Sequence, residues 1–294
     1  MHRTARTATL DIAYLESGPA GGAPVVLLHG WPSDVHDWDR VAPVLAADGF
    51  RVIMPWLRGT GPTRFLSEAT PRSGQQAALG ADLRDLMDAL AIKQAILAGY
   101  DWGGRAACIV AALWPERVRG LVSITGYNIQ DIARANRPAD AAQEVRYWYQ
   151  WYLHTERGRA GFERNRRALV EHLWRLWSPN WAFDAATLDA TMASLENPDF
   201  VDVTVQSYRH RYGNAPGDPA LDAIERQLAA QPTIAVPTIA PHGACDGVTP
   251  PELSEGAAKR FSGRFERRVV PIAGHFLPRE TPGVVIQAVR DLAR

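Results

Sequence analysis

The sequence is short of cysteine. Cys108 and Cys245 are the only two in 294 residues, far apart and with no His or Cys at metal-ligand spacing. That excludes a disulfide framework and a zinc site, and it fits a soluble, reducing, cytoplasmic setting. Surplus charge is missing too, since 32 Lys and Arg balance 32 Asp and Glu. Such a balance argues against a nucleic-acid binder or an acidic solvating chain. No apolar run approaches the length of a membrane span, and residues 1–10 hold none long enough for a signal peptide or anchor. Internal repeats and low-complexity linkers are absent as well, and nothing calls for a metal or a cofactor. What is present is 46% hydrophobic residues, enough for a full-sized core, and ten tryptophans, five of them clustered between residues 147 and 181.

Short apolar runs alternate with longer amphipathic stretches, the rhythm of a mostly parallel sheet with helices on both faces. The runs at 25–28, 51–54, 95–98 and 121–124 each end at Gly or Pro, and 39–47 and 75–90 carry helical spacing between them. The rhythm stops near Ile129. Helical patterning rich in Trp, Tyr and Arg then continues to about residue 230, before strands at 236–240 and 268–270 and a closing helix at 284–293. The expected architecture is an α/β core, residues 1–128 and 231–294, interrupted by a helical cap or lid at 129–230.

The third run ends in Gly99-Tyr100-Asp101-Trp102-Gly103-Gly104. Glycines two residues either side of a central side chain allow a sharp strand-to-helix turn that projects that side chain clear of the sheet. Alone, the pattern leaves open whether Asp101 is a nucleophile or an ordinary helix cap. Three further segments bear on it. His29-Gly30-Trp31-Pro32 follows the first run, and its backbone, with that of Trp102, could form an oxyanion hole. Asp246 follows the strand at 236–240, and His275 stands in the last loop before the closing helix. The chain order nucleophile, acid, His is that of one hydrolase architecture.

These segments resemble the α/β-hydrolase fold superfamily, and within it the epoxide hydrolases and the related haloalkane dehalogenases. The resemblance implies that Asp101 is the nucleophile, His275 the base, Asp246 its orienting acid, and the backbones of Trp31 and Trp102 the oxyanion hole. It departs at Trp56, where such enzymes usually have Asp. It also implies that two cap tyrosines protonate the opening ring, with Tyr152 and Tyr208 at the matching positions; Tyr149 and Tyr212 are the alternatives for that role and are expected, with Trp102, to line the substrate site.

A carboxylate is ionised at neutral pH and can displace a leaving group at saturated carbon, forming an alkyl ester of the enzyme. His275 would then activate water to hydrolyse it. The expected reaction is conversion of a small hydrophobic epoxide and water to a vicinal diol, by a monomer or homodimer without nucleic-acid or membrane partners. Two alternatives remain: a haloalkane or haloacid dehalogenase using the same ester, and a non-catalytic hydrolase-fold protein that binds a hydrophobic ligand. Of the rest, His242 is expected to steady its loop, Cys108 to pack inside a helix, and the arginines of 157–175 to form a solvated helix face.

Overall fold

A computed structural model of the chain describes residues 2–294, so Met1 of the N-terminal stretch lies outside the described residues. The chain opens with β1 (Arg3–Arg6) and β2 (Leu10–Ser17), an antiparallel pair that the sequence reading did not anticipate. Its signal was there: Leu10, Ile12 and Tyr14 recur at two-residue spacing and are buried. The inner strands come from the short apolar runs: β3 (Pro24–Leu28), β4 (Arg51–Pro55), then β5 (Arg64–Phe65) as a two-residue edge piece, β6 (Ala95–Gly99), β7 (Val118–Ser123), β8 (Thr238–Gly243) and β9 (Phe265–Val270). The spatial order is β1-β2-β4-β3-β6-β7-β8-β9, with β5 on β2 and every pair from β4 onward parallel.

Helices fill the crossovers: α1 (Ala42–Ala47), α2 (Gln76–Ala89) and α3 (Asp101–Leu113). Gly80 lets α2 and α3 approach closely, because a Cβ there would lie 2.2 Å from Ile109 Cγ2. Between β7 and β8 the chain is helical among the described residues, with α4 (Ala141–Arg146), α5 (Trp148–His154), α6 (Glu156–Trp177), α7 (Ala185–Leu195), α8 (Phe200–Arg211) and α9 (Asp222–Ala229). Asp140, Thr155 and Asp184 cap α4, α6 and α7 by accepting from backbone N–H groups three residues on. Arg167 and Arg175 of α6 face outward and pair with carboxylates, as expected, with Asp189 and Glu171 at 2.8 Å each, whereas Arg166 lies over the Phe200 ring. Then α10 (Leu277–Glu280) and α11 (Pro282–Ala293) close the chain.

Register decides where the loops emerge. Leu28 pairs with Gly99, and Gly243 with Val270, so loops 29–34 and 100–101 leave the sheet side by side, as do those carrying Asp246 and His275. All four lie at the carboxyl ends of parallel strands, where a sheet of this kind gathers its chemistry. A buried polar cluster binds the helical stretch to this edge. Asp34 accepts from Thr191 and Ser194 of α7 at 3.1 and 2.6 Å, while Arg279 of α10 donates to Asp37 at 2.5 Å and to Thr191 at 2.8 Å. No helix of the described residues is long and apolar enough to cross a membrane.

Candidate active site

Asp101 begins α3 with φ of 50°, in the left-handed region that costs a non-glycine residue about 1–2 kcal/mol. The turn needs its glycines: a Cβ on Gly103 would stand 2.3 Å from Leu28 O, and one on Gly99 would meet Gly103 C at 2.6 Å. The preceding Tyr100 is wholly buried and donates from its hydroxyl to Asp37 at 2.6 Å, so the Arg279 cluster also braces the turn.

The Asp101 carboxylate divides its oxygens between two neighbours. The Trp31 N–H donates to Oδ1 at 2.7 Å, while Oδ2 lies 4.0 Å from His275 Nε2. Trp102 occupies the second position of α3, where a backbone N–H has no acceptor within the helix. His275 Nδ1 bonds Asp246 Oδ2 at 2.9 Å, and Asp246 Oδ1 accepts from the N–H groups of Val248 and Thr249 at 2.9 and 2.8 Å. Nε2 of His275 has no hydrogen-bond partner among the described residues. The last carbonyl of α6, Trp177 O, accepts from His275 N at 3.1 Å and Gly247 N at 3.0 Å and so pins both loops. Burial works against a proton on His275, but the charge and hydrogen bond of Asp246, with Asp101 and Glu280, outweigh it and raise its pKa above the ordinary 6.5.

Aromatic rings surround Asp101. Trp31 stacks on Tyr149 with centroids 5.5 Å apart and meets Tyr208 edge-on at 5.2 Å, and the two tyrosines are themselves 5.5 Å apart. Trp102 packs between Trp31 and Tyr208, its indole N–H buried without a partner. Burial raises the pKa of both phenols; Asp101 raises them further and Arg211 opposes it, so both stay protonated. Gln150 Nε2 donates to the Tyr149 hydroxyl at 3.0 Å while its Oε1 accepts from Arg211 at 2.9 Å and from Tyr212 at 2.8 Å. With its oxygen already accepting, Tyr149 keeps its own proton free to donate.

Two expectations about the tyrosines are corrected. Tyr152 does not join this cluster: its ring packs on Trp148 and its hydroxyl abuts Gly161 of α6, where an added Cβ would lie 1.8 Å from it. Tyr149, one turn earlier on α5, takes the place expected for Tyr152. Tyr212 stands one layer back, bonded to Gln150 and packed on Trp151 and His154, away from the rings around Asp101. Tyr208 lies in the cluster as expected.

Other readings stand. His242 bonds Ser254 and Thr249 O, each at 2.7 Å, and Cys108 is buried on α3 beside Ser123. Trp56, at the position where the resemblance departs, donates to Ser194 at 2.9 Å and helps join the helical stretch to the sheet. Arg105, Gln130, Gln150, Trp177 and Arg211 were missed. A charged Arg105 inside the otherwise small and apolar α3, one turn from Asp101, was a signal available in the sequence.

The family model for the alpha/beta hydrolase fold matches residues 23–280. The chain belongs to the alpha/beta hydrolase fold family. Within it the chain is epoxide hydrolase-like. A crystal structure of a candidate epoxide hydrolase from Klebsiella pneumoniae subsp. pneumoniae superposes with a TM-score of 0.96 at 46% identity, covering 99% of this chain and 96% of that one. Epoxide hydrolase 2 of Siraitia grosvenorii is 35% identical over 116 residues, 40% of this hydrolase-fold chain and 35% of its own length. Epoxide hydrolase B of Mycobacterium tuberculosis is 31% identical over 159 residues, 50% and 44% of the two chains. The matched part thus spans less than half the length of these two curated relatives.

Proposed function

We propose that this protein hydrolyses an epoxide to a vicinal diol through a covalent ester on Asp101, with residues 129–230 acting as a cap over a core of 1–128 and 231–294. The observation that carries the reading is the pair of buried, protonated tyrosines, Tyr149 and Tyr208, in edge contact beside a carboxylate nucleophile. A halide would need no proton, whereas an opening oxirane develops an alkoxide that does. The names of the relatives above support the same reading.

In this mechanism Asp101 Oδ2 attacks an oxirane carbon and the C–O bond breaks as one of Tyr149 and Tyr208 gives its proton to the oxygen while the other donates a hydrogen bond to it. Oδ1 becomes the ester carbonyl, held by the Trp31 and Trp102 N–H groups. His275 takes a proton from water, which attacks Cγ of the ester. The acyl C–O bond cleaves, the leaving alkoxide takes the proton of the newly formed carboxyl group so that Asp101 is again a carboxylate, the diol leaves, and the imidazolium proton returns to the phenolate. Asp246 fixes the imidazole so that Nε2 faces the ester.

The test is the intact mass of the His275→Gln variant after incubation with a panel of epoxides and alkyl halides, followed by peptide mapping. The expected adduct has the mass of a whole epoxide and maps to Asp101, since ester hydrolysis slows by at least ~100-fold without its base. The unpartnered indole N–H of Trp102 favours the dehalogenase as second reading, because it could hold a departing halide. An adduct lacking its halogen, formed while epoxides leave the protein unmodified, would transfer the assignment to that reaction.

A further inference from the structure

Beside the tyrosines lie two guanidinium groups with no acid to match. Arg105 is 7% exposed, sits one helical turn after Asp101, and has Nε without a hydrogen-bond partner. Arg211, at the end of α8, lies over the Tyr208 ring at 5.0 Å. Neither forms a salt bridge with any carboxylate among the described residues. They share a neutral acceptor: with its amide oxygen turned toward them, Gln130 accepts from Arg211 Nη2 at 2.7 Å and from Arg105 Nη2 at 3.2 Å. Buried cations are ordinarily paired, and an amide oxygen is a weak substitute. The strain registers on Arg105, whose pKa burial and the neighbouring Arg211 pull down to about 10 despite the attraction of Asp101.

The missing charge has a natural source. On its outer side Arg211 lines a cleft of about 210 Å³ with Gln130, Tyr147 and Tyr212, and on its inner side it meets Tyr208 and, through Gln150, Tyr149. Arg211 therefore stands between outside space and the reacting groups, with Arg105 buried beside it across Gln130. A planar carboxylate presents two oxygens to two guanidinium forks, the geometry this side chain binds best. The balance also holds during the reaction. Ester formation removes the charge of Asp101, the one carboxylate acting on Arg105, and an anionic substrate would supply another.

We propose that Arg105 and Arg211 form an anion subsite and that the substrate is an epoxide bearing a carboxylate. This deepens the reading above and rests on it for the oxirane, but not for the anion.

The experiment uses ω-epoxy acids from 3,4-epoxybutanoate to 9,10-epoxydecanoate, each against its primary amide. At least one acid is expected to exceed its amide in kcat/KM by ~10–100-fold, the range of a charge-assisted pair. Arg105→Met should bring that ratio to about one, and Arg105→Lys should keep part of it. Equal use of acid and amide across the series by the unaltered protein would overturn the proposal. Calorimetry on Asp101→Ala with hexanoate and hexanamide tests the subsite without turnover and without altering Arg105. Selective binding of hexanoate there, with no epoxide opened by the unaltered protein, retains the anion subsite and removes the epoxide reading; rapid epoxide opening indifferent to charge, with no hexanoate binding, does the reverse.

Discussion

The carboxyl edge of the sheet and the helical stretch 129–230 supply groups to one site by different physical means. At the sheet edge, position comes from the main chain. Parallel register sets two pairs of loops side by side, Asp101 rides a glycine-framed turn, and backbone N–H groups hold Asp101 and Asp246. On the helical side, position comes from side chains packed on side chains: Tyr149 is held by Trp31, Trp177 and the Gln150 amide, and Tyr208 by Trp31, Trp102 and Arg211. Main-chain geometry is a discrete set of solutions, whereas packing depends on every neighbour. The first kind leaves a motif, and the second leaves only composition.

The same division applies to the two chemical steps, and it can be broken experimentally. In the proposed reaction, ring opening draws its acid from the helical side, while ester hydrolysis draws its base and backbone donors from the sheet edge. The double variant Tyr149→Phe, Tyr208→Phe should slow ester formation by ~10²–10⁴-fold, the span of general acid catalysis, and leave hydrolysis of a preformed ester nearly unchanged in rapid-quench measurements. An equal loss in both steps would refute the division.

A smaller effect comes from pH. His275 must be neutral to act as base, and its pKa in the free protein lies above 6.5, which NMR titration checks. Ester hydrolysis should therefore fall about tenfold per pH unit below its inflection, while ester formation stays flat over the same range. A parallel fall in both would place His275 in the first step as well. The smallest effect belongs to Tyr152→Phe, expected within about twofold of the unaltered kcat/KM, because its hydroxyl faces Gly161. A loss comparable to that of Tyr149→Phe would restore Tyr152 to the site.

How much was legible in advance follows this contrast. The strands β3, β4 and β6 to β9 announced themselves as short apolar runs, and Asp101, Trp31, Asp246 and His275 by place and order along the chain. The antiparallel opening was overlooked because its alternation is brief and lies before the first continuous apolar run. The helical stretch was legible as helices, but not which face of α5 would turn inward. Tyr149 and Tyr152 are three residues apart, about 60° around the helix axis, and both are flanked by aromatics. Only the seating of α5 against α6 and α8 separates them. Arg105 and Arg211 escaped for a related reason. They are 106 positions apart in sequence and become a pair only when α8 folds over the end of α3.

The Asp101 carboxylate is among the charges that hold a proton on His275. In the proposed mechanism, alkylation erases that charge. The base is thus released from part of its own electrostatic restraint at the moment an ester appears, so its inflection in the intermediate should lie below that of the resting protein. On that proposal His275 is timed by its own substrate: the nucleophile acts as the safety catch on the residue that later restores it.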